Sequence, residues 1–498
     1  MSLSPISAQS ALAIQQLVDM RAQFDDLQRQ LSTGQKSANY AGLGLDSGVT
    51  VSLNSQLAAI GGYDNTIDNV GTRIGLMNTA LGSMTDLATQ VKSALAQAPL
   101  GVNGSGVTLA QQTGQNALDQ LLSMLNTQSG GRYLFSGRAT DQPAVETLDH
   151  ILNGDGARAG LKQLISERTQ ADLGVGGLGR LTLGTAGSTV SITDDTSPFG
   201  FKLASVSSSL SNAAVSGPSG APATLSVDFS GGNPNDGDAI TVRLDLPDGS
   251  SENLTLTATT SSPPGANQFA IGGTTAQTAA NFQAALNTAI GKLADTSLTA
   301  ASAVAASNDF FDADSSNPPQ RVNGPPFDTA TGMIAGTAAN TVIWYTGEAG
   351  ASPARDTATA RVDQSLVVSY GARANETGIR TLVQNVATLA AVAISPSDPN
   401  APDLSSALNQ RLTQNMNAPG SQTISDIQTE LASAQSSLTA AKDRHQQTSA
   451  TLSDFLQQIQ GVSNEDVGAQ ILALQTRMQA SMQTTALLFQ TSLVNYLK

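Results

Sequence analysis

Cysteine is absent from the 498 residues, so neither a disulfide framework nor a cysteine-ligated metal site can form. The absence is neutral on compartment and fits export into a medium of uncontrolled redox state. Aromatic residues make up only 4% and Trp344 is the sole tryptophan, which argues against one large core and for thin domains that bury area along helices. Charged residues amount to 13%, and basic ones are the scarcer: Lys and Arg number 24 against 39 Asp and Glu, a net charge of −15. That balance opposes binding to nucleic acid or anionic lipid, which needs clustered Lys and Arg. No apolar run reaches the roughly 18 residues of a membrane-spanning helix, so no membrane insertion is expected. Met1 to Ser10 lack a basic stretch followed by an apolar core, so an ordinary cleaved secretory signal is not expected. An extracellular protein of this kind would leave by a route that needs no such signal.

Catalytic chemistry is also poorly supplied. There are two histidines, His150 and His445, and no H-E-x-x-H, G-x-S-x-G or G-x-x-x-x-G-K-[ST]. Gly154, Gly156 and Gly160 approach a phosphate-loop spacing, but no strand signal precedes them. Asp236 with Asp238, and Asp309 and Asp312 with Asp314, lack the twelve-residue loop and closing glutamate of a calcium site, and read as solvated loop acids. No enzyme activity, cofactor or metal is expected.

What is present is helical periodicity at both ends. Leu17, Met20, Phe24, Leu27 and Leu31 recur at alternating spacings of three and four, and so do Ile424, Ile427, Leu431, Ala434, Leu438, Ala441, His445, Thr448, Leu452, Phe455 and Ile459. That spacing draws one narrow apolar stripe along a helix, the seam of a coiled coil. Such a stripe must meet another helix, so the two ends pair with each other or with neighbouring copies. His445, on the seam, reads as a packing or register residue. The assembly-interface residues nominated at the two ends are Leu17, Phe24, Leu27, Leu31, Ile471, Leu474, Met478, Leu488 and Leu493.

A second stripe runs through Ile60, Ile67, Ile74, Met77, Leu81, Met84, Val91 and Leu95, and a third helix carries Ala117, Leu118, Leu121, Leu122 and Leu125. Pro99 and the Gly-rich Leu100 to Val107 predict the turn between them. From about Leu173 to Gly350 the period changes to two. Leu225, Val227 and Phe229 alternate with polar neighbours; Ile240, Val242, Leu244 and Leu246 do the same, then Pro247-Asp248-Gly249 turns the chain and Leu254 and Leu256 resume. This predicts a β-hairpin. Phe282, Leu286, Ala289 and Leu293 predict an amphipathic helix, Val342 to Tyr345 a β patch after a Pro- and Asp-rich loop at Asn308 to Phe327, and Leu366 to Tyr370 a short strand. Helices follow at Glu376–Ala393, Ile424–Ile459 and Asn464–Leu497.

The expected fold is therefore mainly α: a discontinuous coiled-coil-like helical rod built from both termini, with an inserted β-rich (α+β) outer domain. Its parts are an N-terminal core helix (1–45), a first helical stretch (46–170), the β-rich insert (171–360), a second helical stretch (361–460) and a C-terminal core helix (461–498).

Some residues carry a family resemblance. Leu31-Ser32-Thr33-Gly34-Gln35-Lys36, followed by small residues to Ala41-Gly42-Leu43, resembles the N-terminal turn of bacterial flagellins. Arg132-Tyr133-Leu134-Phe135-Ser136-Gly137 and the ending Ser492-Leu493-Val494-Asn495-Tyr496-Leu497 resemble the hook–filament junction branch, hook-associated protein 3. The resemblance covers about residues 1–170 and 361–498. Ser37 to Ala41 lack the paired acids usual in flagellins, and the Asp238 to Leu246 hairpin resembles an insert module of some flagellin-like proteins. The resemblance implies a structural flagellar subunit, exported without a cleaved signal and extracellular. Its implied partners are its own copies in a helical or ring assembly, other flagellin-family and hook-associated proteins, and a flagellar export chaperone. A filament-forming flagellin is the alternative within that class. A surface adhesin or carbohydrate-binding protein acting through the β insert is the alternative outside it.

Overall fold

The computed structural model describes residues 5–97, 101, 108–314 and 316–496; the side chains of residues 5–10, 97, 488–489 and 491–496 are outside that description. Apart from Gly101, the turn expected at Pro99 to Val107 lies outside it too.

The chain is mainly helical with a β-rich segment between the helices of its two ends, as the periodicities predict. Helices α1 (Pro5–Thr33), α2 (Ser47–Gln97), α3 (Leu109–Leu125), α4 (Leu148–Asn153) and α5 (Leu161–Leu173) come first. A short hairpin, β1 (Gln128–Ser129) and β2 (Arg132–Tyr133), lies between α3 and α4. Eight strands follow: β3 (Thr182–Ala186), β4 (Thr189–Thr193), β5 (Lys202–Ser208), β6 (Ala214–Ser219), β7 (Thr224–Asp228), β8 (Ala239–Asp245), β9 (Ser251–Thr259) and β10 (Gln268–Ala270). Then come α6 (Thr275–Leu293), α7 (Thr299–Phe311), the small pair β11 (Gln320–Val322) and β12 (Met333–Ala335), and the strands β13 (Thr359–Arg361) and β14 (Val367–Ser369). Helices α8 (Thr377–Ala391), α9 (Ala401–Met416), α10 (Ile424–Gln460) and α11 (Asn464–Tyr496) complete the chain.

Capping sets several boundaries. Thr108, Thr147 and Thr274 each accept a hydrogen bond from the backbone N–H three residues on, which satisfies one open donor of α3, α4 and α6. At α10 the exchange is reciprocal: Asp426 N–H donates to Thr423 Oγ1 at 3.2 Å, and Thr423 N–H donates to Asp426 Oδ2 at 2.8 Å. The Thr423 backbone bond, reinforced by its hydroxyl, holds the Asp426 carboxyl below the usual range.

The described chain divides into two compact units. One comprises residues 1–71, 361–368 and 436–498, the other 72–360 and 369–435. In the second unit, eight strands form two four-stranded sheets ordered β3-β4-β7-β6 and β10-β9-β8-β5. The predicted hairpin is β8–β9, antiparallel, with Ile240 opposite Leu256 and Val242 opposite Leu254. Leu225, Val227 and Phe229 are fully buried, as alternation requires of an inward face. Phe229, Phe269 and Phe282 pack edge to face, with ring centroids 5.1 to 6.3 Å apart. A second aromatic group, Phe310, Phe311, Trp344 and Tyr345, is buried nearby in the chain, and Trp344 Nε1–H donates to the Phe311 carbonyl at 3.0 Å. Seven of the chain's aromatic residues are gathered in these two groups.

Three expectations change. Val342 to Tyr345 is not a strand: only isolated bridges form there, Thr341 with Ala159 and Tyr345 with Val145. Its apolar run is explained by burial of all four side chains, Trp344 and Tyr345 among them in the aromatic group, which needs no ladder. The loop expected from Asn308 begins later, because Asn308 to Phe311 close α7, and Gln320–Val322 within it pairs with β12. Helix α9, Ala401–Met416, falls where no helix was predicted. By contrast, the short strand expected at Leu366 to Tyr370 is β14, and the last three predicted helices begin and end within two residues of α8, α10 and α11.

Candidate assembly surface

The sequence-nominated residues lie in the unit built from the two ends. There α1 packs along α11, so the helices that carry the nominated residues of the two ends meet within one chain. Leu474 is buried; Leu17, Phe24, Leu27, Ile471 and Met478 are half-buried; Leu31 is exposed. Leu488 and Leu493 belong to α11, but their side chains lie outside the described residues. Pairing with the chain's own other end is one of the two arrangements expected of the ends. It leaves apolar side chains facing water: Leu12, Ile14, Val18, Leu472, Met482 and Leu487, the first and last more than 60% exposed. A narrow stripe can cover one neighbour, and the rest of the apolar surface stays available.

One feature of this pair was not legible from periodicity. The turn after α1 joins the turn between α10 and α11 through backbone hydrogen bonds. Lys36 N–H donates to the Gln460 carbonyl at 2.7 Å, Val462 N–H donates to the Gly34 carbonyl at 3.1 Å, and Gln35 and Gly461 bridge antiparallel. Gly34 sits at φ +66°, where a side chain is strained, and a Cβ on Gly461 would lie 2.4 Å from the Gln457 carbonyl oxygen. The two glycines are the only local signal of the junction. Arg29 reinforces it: the guanidinium pairs with Asp26 at 2.6 Å and donates to the Lys36 carbonyl at 3.2 Å. The Arg29 hydrogen bond keeps the Asp26 carboxyl below its ordinary value.

Within the same unit His445 is buried at the predicted seam position. Its Nδ1 lies 2.7 Å from Asp64 Oδ1 of α2, its Nε2 is 3.8 Å from Asp363 Oδ2, and its ring stacks at a tilt on Tyr63, 5.9 Å between centroids. Lys442 pairs with Asp68 one turn away. A buried imidazole held by an aspartate of another helix favours one register of α2 against α10.

The Arg132–Gly137 segment lies in the other unit, where it ties three segments together. Phe135 and Ser136 are fully buried. Ala374 N–H donates to the Phe135 carbonyl at 2.8 Å, Gly137 N–H to Ala372 at 3.1 Å, and Glu348 N–H to Ser136 at 2.9 Å. Gly137 has φ +64°, and a Cβ there would meet Glu348 Oε2 at 2.7 Å. The glycine is needed because these segments converge on its backbone. The neighbouring Arg373 donates to the Gly350 carbonyl at 2.7 Å and to Ser352.

The other candidates resolve as structure. Gly154 ends α4 and Gly160 begins α5, and a Cβ on either would strike the other's backbone, so their spacing reflects a tight turn. Asp238 accepts from the backbone of Ser211 and Asn235, and Asp236 from that of Thr260. Asp312 pairs with Arg380. Among the described residues no group of three or more His, Asp or Glu is placed to hold a metal ion, and no helix is long and apolar enough to cross a membrane.

No curated protein matches the chain. Residues 6–140, which contain α1, α2, α3 and the Arg132–Gly137 segment, match the family model of the bacterial flagellin N-terminal helical region, and this match supports the bacterial flagellin superfamily and a structural flagellar subunit.

Proposed function

We propose that the chain is a self-assembling structural subunit of the bacterial flagellum that acts at the hook–filament junction. The observation that carries assembly is the α1–α11 pair: the two helices cover each other along one side, while Leu12, Val18 and Leu472 stay exposed to further helices. Copies of the chain, in a ring or helical array, are the partners that bury them. The Arg132–Gly137 segment and its resemblance to junction proteins favour the hook–filament position. In this reading the protein is exported without a cleaved signal, is met by an export chaperone, resides outside the cell, and contacts other flagellin-family and hook-associated proteins. Residues 171–360 are then an insert carried by the assembling helices. The length of that insert favours a filament flagellin as the second reading.

Immunogold labelling of isolated flagella separates these. A single band at the distal end of the hook is the expected result. Gold along the filament assigns the protein to the filament instead, and flagella without gold overturn the flagellar reading.

A further inference from the structure

The two four-stranded sheets have four edges, and three of them are blunted. Strand β5 starts with Lys202 and shifts register between Leu203 and Ser205. Strand β6 contains Pro218, shifts register between Ser216 and Ser219, and lies close to β5. Strand β10 has three residues, and Asn281 Nδ2–H donates to its Ala270 carbonyl at 2.9 Å. Lysine, proline, irregular register, shortness and side-chain capping are the means by which sheets avoid pairing with other strands.

Strand β3, Thr182-Leu183-Gly184-Thr185-Ala186, has none of these. It carries no charge and no proline, and it runs in unbroken register with β4 over all five residues. Among the described residues its backbone hydrogen-bonds to β4 alone. Leu183 packs against the core of the insert yet stays half-exposed, as a residue does when its sheet ends beside it. From Leu173 to Thr193 the sole charged residue is Arg180, which is paired with Asp195 at 3.2 Å. Val175, in the loop leading to the strand, is 75% exposed.

We propose that β3 is a pairing edge whose occupant is β3 of a second copy, antiparallel across a two-fold axis. The chain's net charge of −15 repels its copies wherever acidic surface meets acidic surface, and this uncharged edge is where two copies approach at least cost. The segment is also self-complementary. The register that uses all five residues places Gly184 opposite its copy, Leu183 opposite Thr185, and Thr182 opposite Ala186. Each Leu183 is then covered by the added strand, and the unpaired N–H and C=O groups of both edges are satisfied. The contact is isologous, and it stands independently of the flagellar reading.

The cysteine-free chain permits a direct test. Thr182→Cys and Ala186→Cys each place one thiol at an exposed position of the full-length protein. Facing residues of an antiparallel pair have Cα atoms about 4.5–5.5 Å apart, within disulfide reach. The expected result is a disulfide-linked dimer when the two variants are mixed under mild oxidation and almost none with either alone, because position 182 of one copy faces position 186 of the other. Thr185→Lys, placing charge on the edge, should abolish the mixed cross-link. Equal cross-linking of each variant alone, or no mixed dimer in either the soluble or the assembled protein, overturns the proposal; the first result points to unspecific collision, the second to an edge that is free or meets a different strand.

Discussion

Arg411 of α9 and Asp248 of the β8–β9 turn, 163 residues apart in sequence, meet as an ion pair at 3.0 Å with both side chains almost wholly buried. The guanidinium also reaches Glu252 Oε1 at 3.2 Å, and Ser297 Oγ–H donates to the same carboxylate oxygen at 3.0 Å. The Pro-Asp-Gly signal in the sequence accounts for a turn. It does not account for the turn's aspartate being out of water, which requires the partner that α9 supplies.

Removing one member of a buried pair leaves the other charged and unsolvated. Arg411→Ala should therefore destabilise the unit containing the two sheets by about 3–5 kcal/mol. Arg411→Met combined with Asp248→Asn should cost clearly less, since no bare charge is left. Denaturant unfolding followed by circular dichroism measures both, and equal losses in the two proteins would show that the charges themselves do not matter.

Assembly should depend on the terminal pair. Leu27→Asp or Leu474→Asp sets a carboxylate in a helix–helix seam, which costs at least several kcal/mol or forces protonation. Sedimentation should show loss of polymer, while the β signal in circular dichroism remains. Normal assembly of Leu27→Asp would mean that the stripe is not an interface.

The opposite pattern is expected for the sheets. Val242→Asp places a charge in the core facing Leu254, and Leu225→Ala leaves a cavity that costs about 2–5 kcal/mol. Both should lower the unfolding midpoint of the sheet-containing unit. Limited proteolysis should then cut first between residues 182 and 270 rather than in the terminal helices.

A pH effect follows from Asp172. Burial pushes its carboxyl above the usual carboxylate range, against the opposing pull of Arg168, whose Nε–H donates at 2.9 Å, and of the Gly200 N–H, also at 2.9 Å. A group raised on folding binds its proton more tightly in the native state. Its contribution is complete below the unfolded value, about 3.9, and is lost as pH rises through the folded value. Asp172→Asn should thus flatten the decline in stability over that window, read as the slope of the urea midpoint against pH. An unchanged slope would show that Asp172 does not titrate differently in the folded chain.

The sequence by itself determined the elements whose burial is one-sided. A helix with one neighbouring stripe, such as α2 with Ile74, Met77 and Leu81, must repeat at three and four, and a hairpin with one inward face, such as β8–β9, must alternate. It also determined that the terminal helices need partners, because their stripes cannot stay in water. Burial from several sides erases such periods. Helix α7 is buried along nearly its whole length and rich in alanine, so no stripe marks it. Helix α9 carries Ser, Asn and Gln on its faces, and its buried polar groups, Asn409 and Arg411, make sense only beside the Leu95 carbonyl and Asp248. The tertiary structure alone decided that α1 lies along α11 and that Gly34 to Lys36 join Gln460 to Val462. Those contacts link positions more than 400 residues apart through backbone groups that every residue but proline possesses. Side-chain patterning determines which face of a helix is covered; which backbone N–H meets which carbonyl is settled only when the whole chain has closed.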